Sequence, residues 1–295
     1  MFNTIDEYLD ALKEEMKDAD PALIQDAQAD AREHLSDALI ASREKNPETS
    51  EADLLTKIVE EYGMPEETAS AYKEVERRTS PVLKAEIKHK SKLGHFFGVY
   101  TDPYAWGALL YMLIAFVTGE FYFTWAVTGA SLSITFLIFI FGFPFALLFL
   151  LSIRGLALIE GRLVEALLGV RMPRRPLFSH ADMKWFDRLK ALVTDRQTWF
   201  MLIYMLVHFA LSLVYFTIIV TVLAFSVSFI AIPVAQEWFG QGALMLEHGI
   251  RFFFPRWSYP LFVLGGILLW TFFMHLVKIV GQLHGKLAKW MLVQE

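Results

Sequence analysis

The 28 residues from Thr101 to Thr128, TDPYAWGALLYMLIAFVTGEFYFTWAVT, return 93 residues later, without a gap, as TDRQTWFMLIYMLVHFALSLVYFTIIVT from Thr194 to Thr221. Thirteen of the 28 positions are identical, among them Thr-Asp, Trp106/Trp199, Tyr111-Met112-Leu113/Tyr204-Met205-Leu206 and Tyr122-Phe123-Thr124/Tyr215-Phe216-Thr217. Self-similarity of this kind marks an internal duplication. Each copy is also apolar over a length that crosses a bilayer, since Tyr104 to Trp125 is 22 residues and a helix spans the hydrocarbon with about 20. The pattern predicts an all-α chain with a polytopic membrane domain of two tandem repeats and four transmembrane helices.

Charge divides the 295 residues unevenly. Residues 1–80 hold 21 acidic and 9 basic side chains, a net −12, whereas residues 81–295 hold 11 acidic and 18 basic, a net +7. An acidic module thus precedes a basic membrane module. The absence of cysteine excludes disulfides, thiol catalysis and thiolate metal sites. The start, Met1-Phe2-Asn3-Thr4-Ile5-Asp6-Glu7, lacks the basic and apolar regions of a signal peptide, so the N-terminus is expected to stay in the cytoplasm.

Within the acidic module, Ile5, Tyr8, Leu9, Leu12 and Met16 fall at helical spacing behind a Thr4/Glu7 capping box. Asp20-Pro21 opens a second helix that runs to about Lys45, with Asp26, Asp30, Glu33 and Asp37 along one face. Ser50 and Asp53 cap a third, Gly63 ends it, and Pro65 opens a fourth. The segments IDEYLDALKEEM, Asp26 to Leu39 with its Arg-Glu-His-Leu, and LTKIVEEYGMPEETASAYKEV resemble the HAAS domain over about residues 3 to 76. That resemblance implies a helical signalling domain, often found with helix-turn-helix regulators, that works by protein–protein contact without catalysis.

Lys84, Lys88, Lys90 and Lys92 reverse the charge just before the first span, as a solvated linker helix or a lever on an anionic membrane surface. After that span, Thr128-Gly129-Ala130 reads as a turn into a second span from about Ser131 to Leu151, kinked at Gly142-Phe143-Pro144. Arg154, Arg162, Arg171, Arg174 and Arg175 then mark the cytoplasmic side. The stretch around Leu156, Ile159, Gly161, Leu163 and Leu167 echoes at an offset of 120 as Leu276, Ile279, Gly281, Leu283 and Leu287, which implies an outer insertion of 27 residues around 236–260 in the second copy. The third span is expected near Trp199 to Val220 and the fourth near Pro260 to Lys278. Leu223 to Ala235 either extends the third span or lies in the interface.

The pattern LLYML...YF...VTGASLS...LLFLLSIRGLALIEGRLVEALLGV, followed by a second copy ending LVKIVGQLHGKLAKWML, resembles the four-span Putative sensor domain of bacterial histidine kinases over about residues 98 to 293. No kinase module follows it in this sequence, so the resemblance directs the output to the N-terminal module. The domains expected are an acidic cytoplasmic helical one over 1–80, a basic juxtamembrane linker helix over 81–98, and a four-span sensor domain over 99–295, with repeats over 99–175 and 190–295.

No His-Glu-x-x-His, Walker or Gly-x-Ser-x-Gly pattern occurs, so no enzymatic activity, cofactor or metal is expected. Glu33-His34 and Glu247-His248 read as ordinary surface pairs. The candidate sensing residues are Glu120, an ionisable group inside a span, with His208 and His275 as its nearest partners. To these we add Trp238, Phe239 and Trp257 in an outer aromatic segment that reads as an interfacial belt or as the cap of a lipid site. The candidate partner-binding face is Asp26, Asp30, Glu33 and Asp37.

The function expected is a non-enzymatic membrane sensor or adaptor in a bacterial inner membrane, with both termini cytoplasmic. Its partners would be membrane lipids and a cytoplasmic transcriptional regulator or signalling protein, with no direct nucleic-acid contact and with homo-oligomerisation left open. The alternative is an accessory or core subunit of a transporter for a lipid-like or amphiphilic substrate. The scarcity of polar residues inside the spans favours the sensor.

Overall fold

A computed structural model describes residues 2–79, 92–136, 138–139, 142–175, 185–240, 244–245 and 251–293. The described chain is all-α apart from one two-residue antiparallel pairing. Its elements are α1 (Ile5–Glu15), α2 (Pro21–Lys45), α3 (Glu51–Tyr62), α4 (Pro65–Thr79), α5 (Lys92–Phe97), α6 (Pro103–Phe136), α7 (Gly142–Leu168), α8 (Trp185–Thr194), α9 (Arg196–Phe239), β1 (Leu244–Met245), β2 (Arg251–Phe252) and α10 (Tyr259–Leu292). Lys84, Lys88 and Lys90 of the linker and Glu247-His248 lie outside the described residues, while Lys92 opens α5.

The contacts group the chain into two compact units. One comprises Met1–Val82, Tyr122–Leu206 and Gly285–Glu295; the other comprises Leu83–Phe121 and Val207–His284.

In the first unit, the caps expected from the sequence form. Thr4 Oγ1 accepts from the Glu7 amide at 3.2 Å, while the Glu7 carboxylate accepts from the Asn3 amide at 2.7 Å. Asp20 caps α2 ahead of Pro21, and Ser50 caps α3. Gly63 ends α3 at φ 116°, a conformation that side chains disfavour, and so lets the chain turn directly into α4. α1 to α4 close over a core of Tyr8, Leu9, Leu12, Met16, Leu23, Ala27, Ala31, Leu35, Leu55, Ile58, Val59 and Ala69. The Tyr8 hydroxyl, buried with its ring, donates to the Gly63 carbonyl at 2.9 Å and so ties α1 to the α3–α4 turn.

The end of α6 packs on α7 in the same unit. Trp125 Nε1 donates to Ser152 Oγ at 2.8 Å, and Gly129 lets the Phe149 ring approach so closely that a Cβ there would lie 2.2 Å from it. Leu189 and Leu192 bury the apolar side of α8. In the second unit, α6 and α9 cross where Phe116 stacks on Phe216 at 4.2 Å and a Cβ on Gly119 would meet Ser212 Oγ at 2.5 Å. α9 and α10 pair through Phe229 and Phe262, and the chain between them is fastened by Gln236, whose Oε1 accepts from the Phe254 amide at 2.8 Å.

Four helices are long and apolar enough to cross a membrane: Pro103–Phe136, Gly142–Leu168, Arg196–Phe239 and Arg256–Leu292, the last with its leading 3-10 turn. Several boundaries differ from those expected. Thr128-Gly129-Ala130 is helical and α6 continues to Phe136, because Gly129 is a packing site and no water competes for its backbone inside an apolar segment. The second span accordingly begins at Gly142 rather than near Ser131, and Pro144 sits in the first turn of α7, where a missing amide is harmless, instead of kinking a span. Leu223 to Ala235 extends the third span within one 44-residue helix. The echoing stretches around 156–168 and 276–288 lie at the C-terminal ends of α7 and α10.

Candidate functional site

Polar residues collect at one level of the second unit, inside helices that are otherwise apolar. α6 supplies Tyr111 and Thr118, α9 supplies His208 and Tyr215, and α10 supplies His284. His208 and His284 are fully buried, with ring centroids 5.4 Å apart. Both nitrogens of His284 meet tyrosine hydroxyls, Nε2 with Tyr111 Oη at 2.6 Å and Nδ1 with Tyr215 Oη at 3.0 Å. A neutral imidazole has one donor and one acceptor, so one tyrosine donates to the ring and the other accepts from it. His208 Nε2 lies 3.2 Å from Thr118 Oγ1. Such a cluster can hold a proton or a small polar ligand group.

The first unit repeats parts of this arrangement with other residues. Tyr204 Oη donates to the buried Glu160 at 3.1 Å, where Tyr111 meets His284 in the second unit. Asp195 caps α9 and pairs with Arg154, which also donates to Thr198 Oγ1 at 2.7 and 3.0 Å. Asp102 caps α6 through the Tyr104 amide at 2.9 Å and pairs with Lys278 at 2.5 Å. Trp199 and Trp106 each donate their indole N–H to a carbonyl six residues back, at 2.8 Å in both cases. Lys278 follows Arg154, and His284 follows Glu160, by 124 residues, not by the 120 of the expected echo. The difference is about one helical turn, which leaves the apolar stripe in phase and so cannot be told from hydrophobic spacing. Glu160 and His284 were not among the sequence candidates. The signal that marks them is the pair of dipeptides Glu160-Gly161 and His284-Gly285, 124 residues apart.

A second polar centre lies wholly within the first unit, where the chain leaves α7. Arg171 is 6% exposed and donates from Nη2 to Asp26 Oδ2 at 2.7 Å, and Asp26 is itself 6% exposed. Arg171 Nε lies 3.1 and 3.2 Å from the two Glu76 oxygens. Asp26 Oδ1 accepts from the backbone amides of Arg174 at 2.6 Å and Arg175 at 2.9 Å. Arg175 pairs with Asp30 and Glu33, and Arg174 with Glu165. Near the chain's end, Lys289 pairs with Asp20.

Of the sequence candidates, His208 belongs to the buried cluster. Glu120 is exposed on α6, while His275 donates from Nε2 to the Phe96 carbonyl at 2.9 Å and stacks on the Phe96 ring. Trp238, Phe239 and Trp257 are exposed, Trp238 by 80%, and Phe239 lines an open apolar groove with Val227, Ile230, Ala231, Val234 and Ala235. Asp26, Asp30 and Glu33 face the arginines of residues 171–175, and Asp37 is exposed.

The family model described as "Putative sensor" matches residues 111–292, more than half of the chain. No curated protein and no solved structure matches it. The matched region holds α7, α9 and α10 whole and most of α6, with the Tyr111 and Tyr204 contacts. With four helices apt to span a bilayer, the chain is a membrane protein that belongs to the Putative sensor family.

Proposed function

We propose that this protein is a non-enzymatic membrane sensor of the bacterial inner membrane that relays an envelope signal to a cytoplasmic regulator through its N-terminal helices. On this reading α1 to α4 are a HAAS-like signalling module, and the spans arose by duplication. The recurrence of the Asp–cation, tryptophan and tyrosine contacts at matched positions supports the duplication. The observation that carries the relay is the buried Asp26–Arg171 pair, a direct physical link between α2 and the end of a span. A shift of α7 reaches the N-terminal module through that link. The same pair, with Asp20–Lys289, supports a common cytoplasmic side for the N-terminal helices, the 171–175 segment and the C-terminal end of α10.

The partner is a cytoplasmic protein and the input a change in the lipid or proton environment of the spans. Purification from native membranes tests the relay. The full chain should bring down a DNA-binding regulator or other signalling protein, and a chain lacking residues 1–78 should insert but lose it. Undiminished recovery with the truncated chain would show that the signal leaves by another route.

A further inference from the structure

The 171–175 segment, Arg-Met-Pro-Arg-Arg, is seated on the N-terminal helices as a ligand is seated in a groove. Gly169, at φ 62°, turns the chain out of α7, and the segment that follows has no helical hydrogen bonds of its own. Met172 is fully buried, with its side chain against Gly161 of α7, so the contacts with the N-terminal helices are those of the arginines and the backbone amides. Asp26 from α2 and Glu76 from α4 converge on one guanidinium, Asp26 also reads two successive backbone amides, and Asp30 and Glu33 take the next arginine side chain. Four carboxylates of a module with a net −12 over residues 1–80 thus converge on the segment. Their mutual repulsion favours a cationic occupant, and a planar guanidinium fork suits paired carboxylates better than an ammonium does.

We propose that this face is a docking groove for an arginine-bearing, non-helical peptide segment. Residues 171–175 occupy it in cis in the resting chain, and a segment of the same chemistry on the cytoplasmic partner takes it once the membrane helices withdraw the internal one. The proposal rests on the relay described above and adds the identity of its contact surface. An internal occupant competes at an effective concentration in the millimolar range for a short tether. A free peptide is therefore almost excluded until the internal segment is weakened.

The test uses the full-length protein in lipid nanodiscs and a fluorescent peptide with the sequence of residues 169–177, Gly-Val-Arg-Met-Pro-Arg-Arg-Pro-Leu. The double variant Arg171→Met/Arg175→Met should bind it at least about tenfold more tightly than the unaltered chain does. Adding Asp26→Asn should abolish that gain. Equal affinity for both proteins, or no binding to a double variant that keeps its helical content, would overturn the proposal. Should that variant lose its fold, a chain with Met172→Cys decides, because its thiol is unique. Saturating peptide should speed its alkylation several-fold, and an unchanged rate would overturn the proposal. Neither readout needs the native partner, so either can fail while the truncation experiment succeeds, and the reverse.

Discussion

Asp26 is the side chain on which the attachment of the N-terminal helices turns. It is buried, it meets a buried guanidinium, and it accepts two backbone amides as well. Removing one partner of a buried ion pair leaves an uncompensated charge and costs about 3–5 kcal/mol. Asp26→Asn should destabilise the protein on that scale in denaturant or thermal unfolding, whereas Asp37→Asn, on the same helix but exposed, should stay within about 0.5 kcal/mol. Equal effects at the two positions would contradict the description. Helical spacing placed both aspartates on one face and gave no reason to separate them, because the partner of Asp26 lies 145 residues away and long-range pairing leaves no local trace. Tyr72 supplies a pH test. Burial, and behind it the Asp30 carboxylate that accepts its hydroxyl at 2.6 Å, raises its pKa above the usual 10.0. The folded state then holds this proton more tightly than the unfolded state does, so the stabilisation is complete below about pH 10 and is lost as the pH climbs beyond it. Stability measured from pH 8 to 11 should fall more steeply for the unaltered chain than for Tyr72→Phe, and parallel curves would refute the assignment.

At the scale of elements, the sequence located helices well and their ends less well. The caps at Thr4, Asp20 and Ser50 and the stop at Gly63 depend on local chemistry, and each was legible. The apolar helices lack such signals, since a polar residue that would end a helix in water can continue one inside an apolar environment. Thr128-Gly129-Ala130 shows this, because what reads as a turn is a place where Phe149 presses on helix backbone. Gly129→Ala should therefore lower the melting temperature in detergent, as the ring would have to move. Gly155→Ala, with nothing within 4 Å of the added carbon, should be neutral or raise stability by up to about 1 kcal/mol through helix propensity. If both substitutions behave alike, the α6–α7 packing described is wrong. The one-turn difference between the expected and observed echo has a similar origin, in that hydrophobic spacing fixes a face and leaves its phase along the axis open. The partners that fix that phase, Glu160 with Tyr204 and His284 with Tyr111, are polar. Glu120 drew attention in the sequence as an ionisable residue within a span, yet it is exposed, and Glu160 and His284, which are buried as His208 is, went unremarked. Burial depends on which side of each helix meets a neighbour, and an all-round apolar helix does not declare that side.

At the scale of the molecule, α9 is the element least like an ordinary span. Its 44 residues measure roughly 66 Å at about 1.5 Å per residue, twice a hydrocarbon core of about 30 Å, so it tilts strongly or carries part of its apolar surface past the core. The exposed Trp238, Phe239 and Trp257 stand at that far end, where aromatic rings favour the headgroup zone. The proposed relay depends on one arrangement, with α1 to α4 and the 171–175 segment on the same side of the membrane and in contact. The chain has no cysteine, so single cysteines at positions 45, 175 and 245 test it without background. In intact cells, an impermeant thiol reagent should leave 45 and 175 unmodified and reach 245, and after permeabilisation both 45 and 175 should react. Labelling of both 45 and 175 from outside would contradict the cytoplasmic placement, and reaction of the two from opposite sides would contradict the link itself, because Asp26 and Arg171 could not then meet.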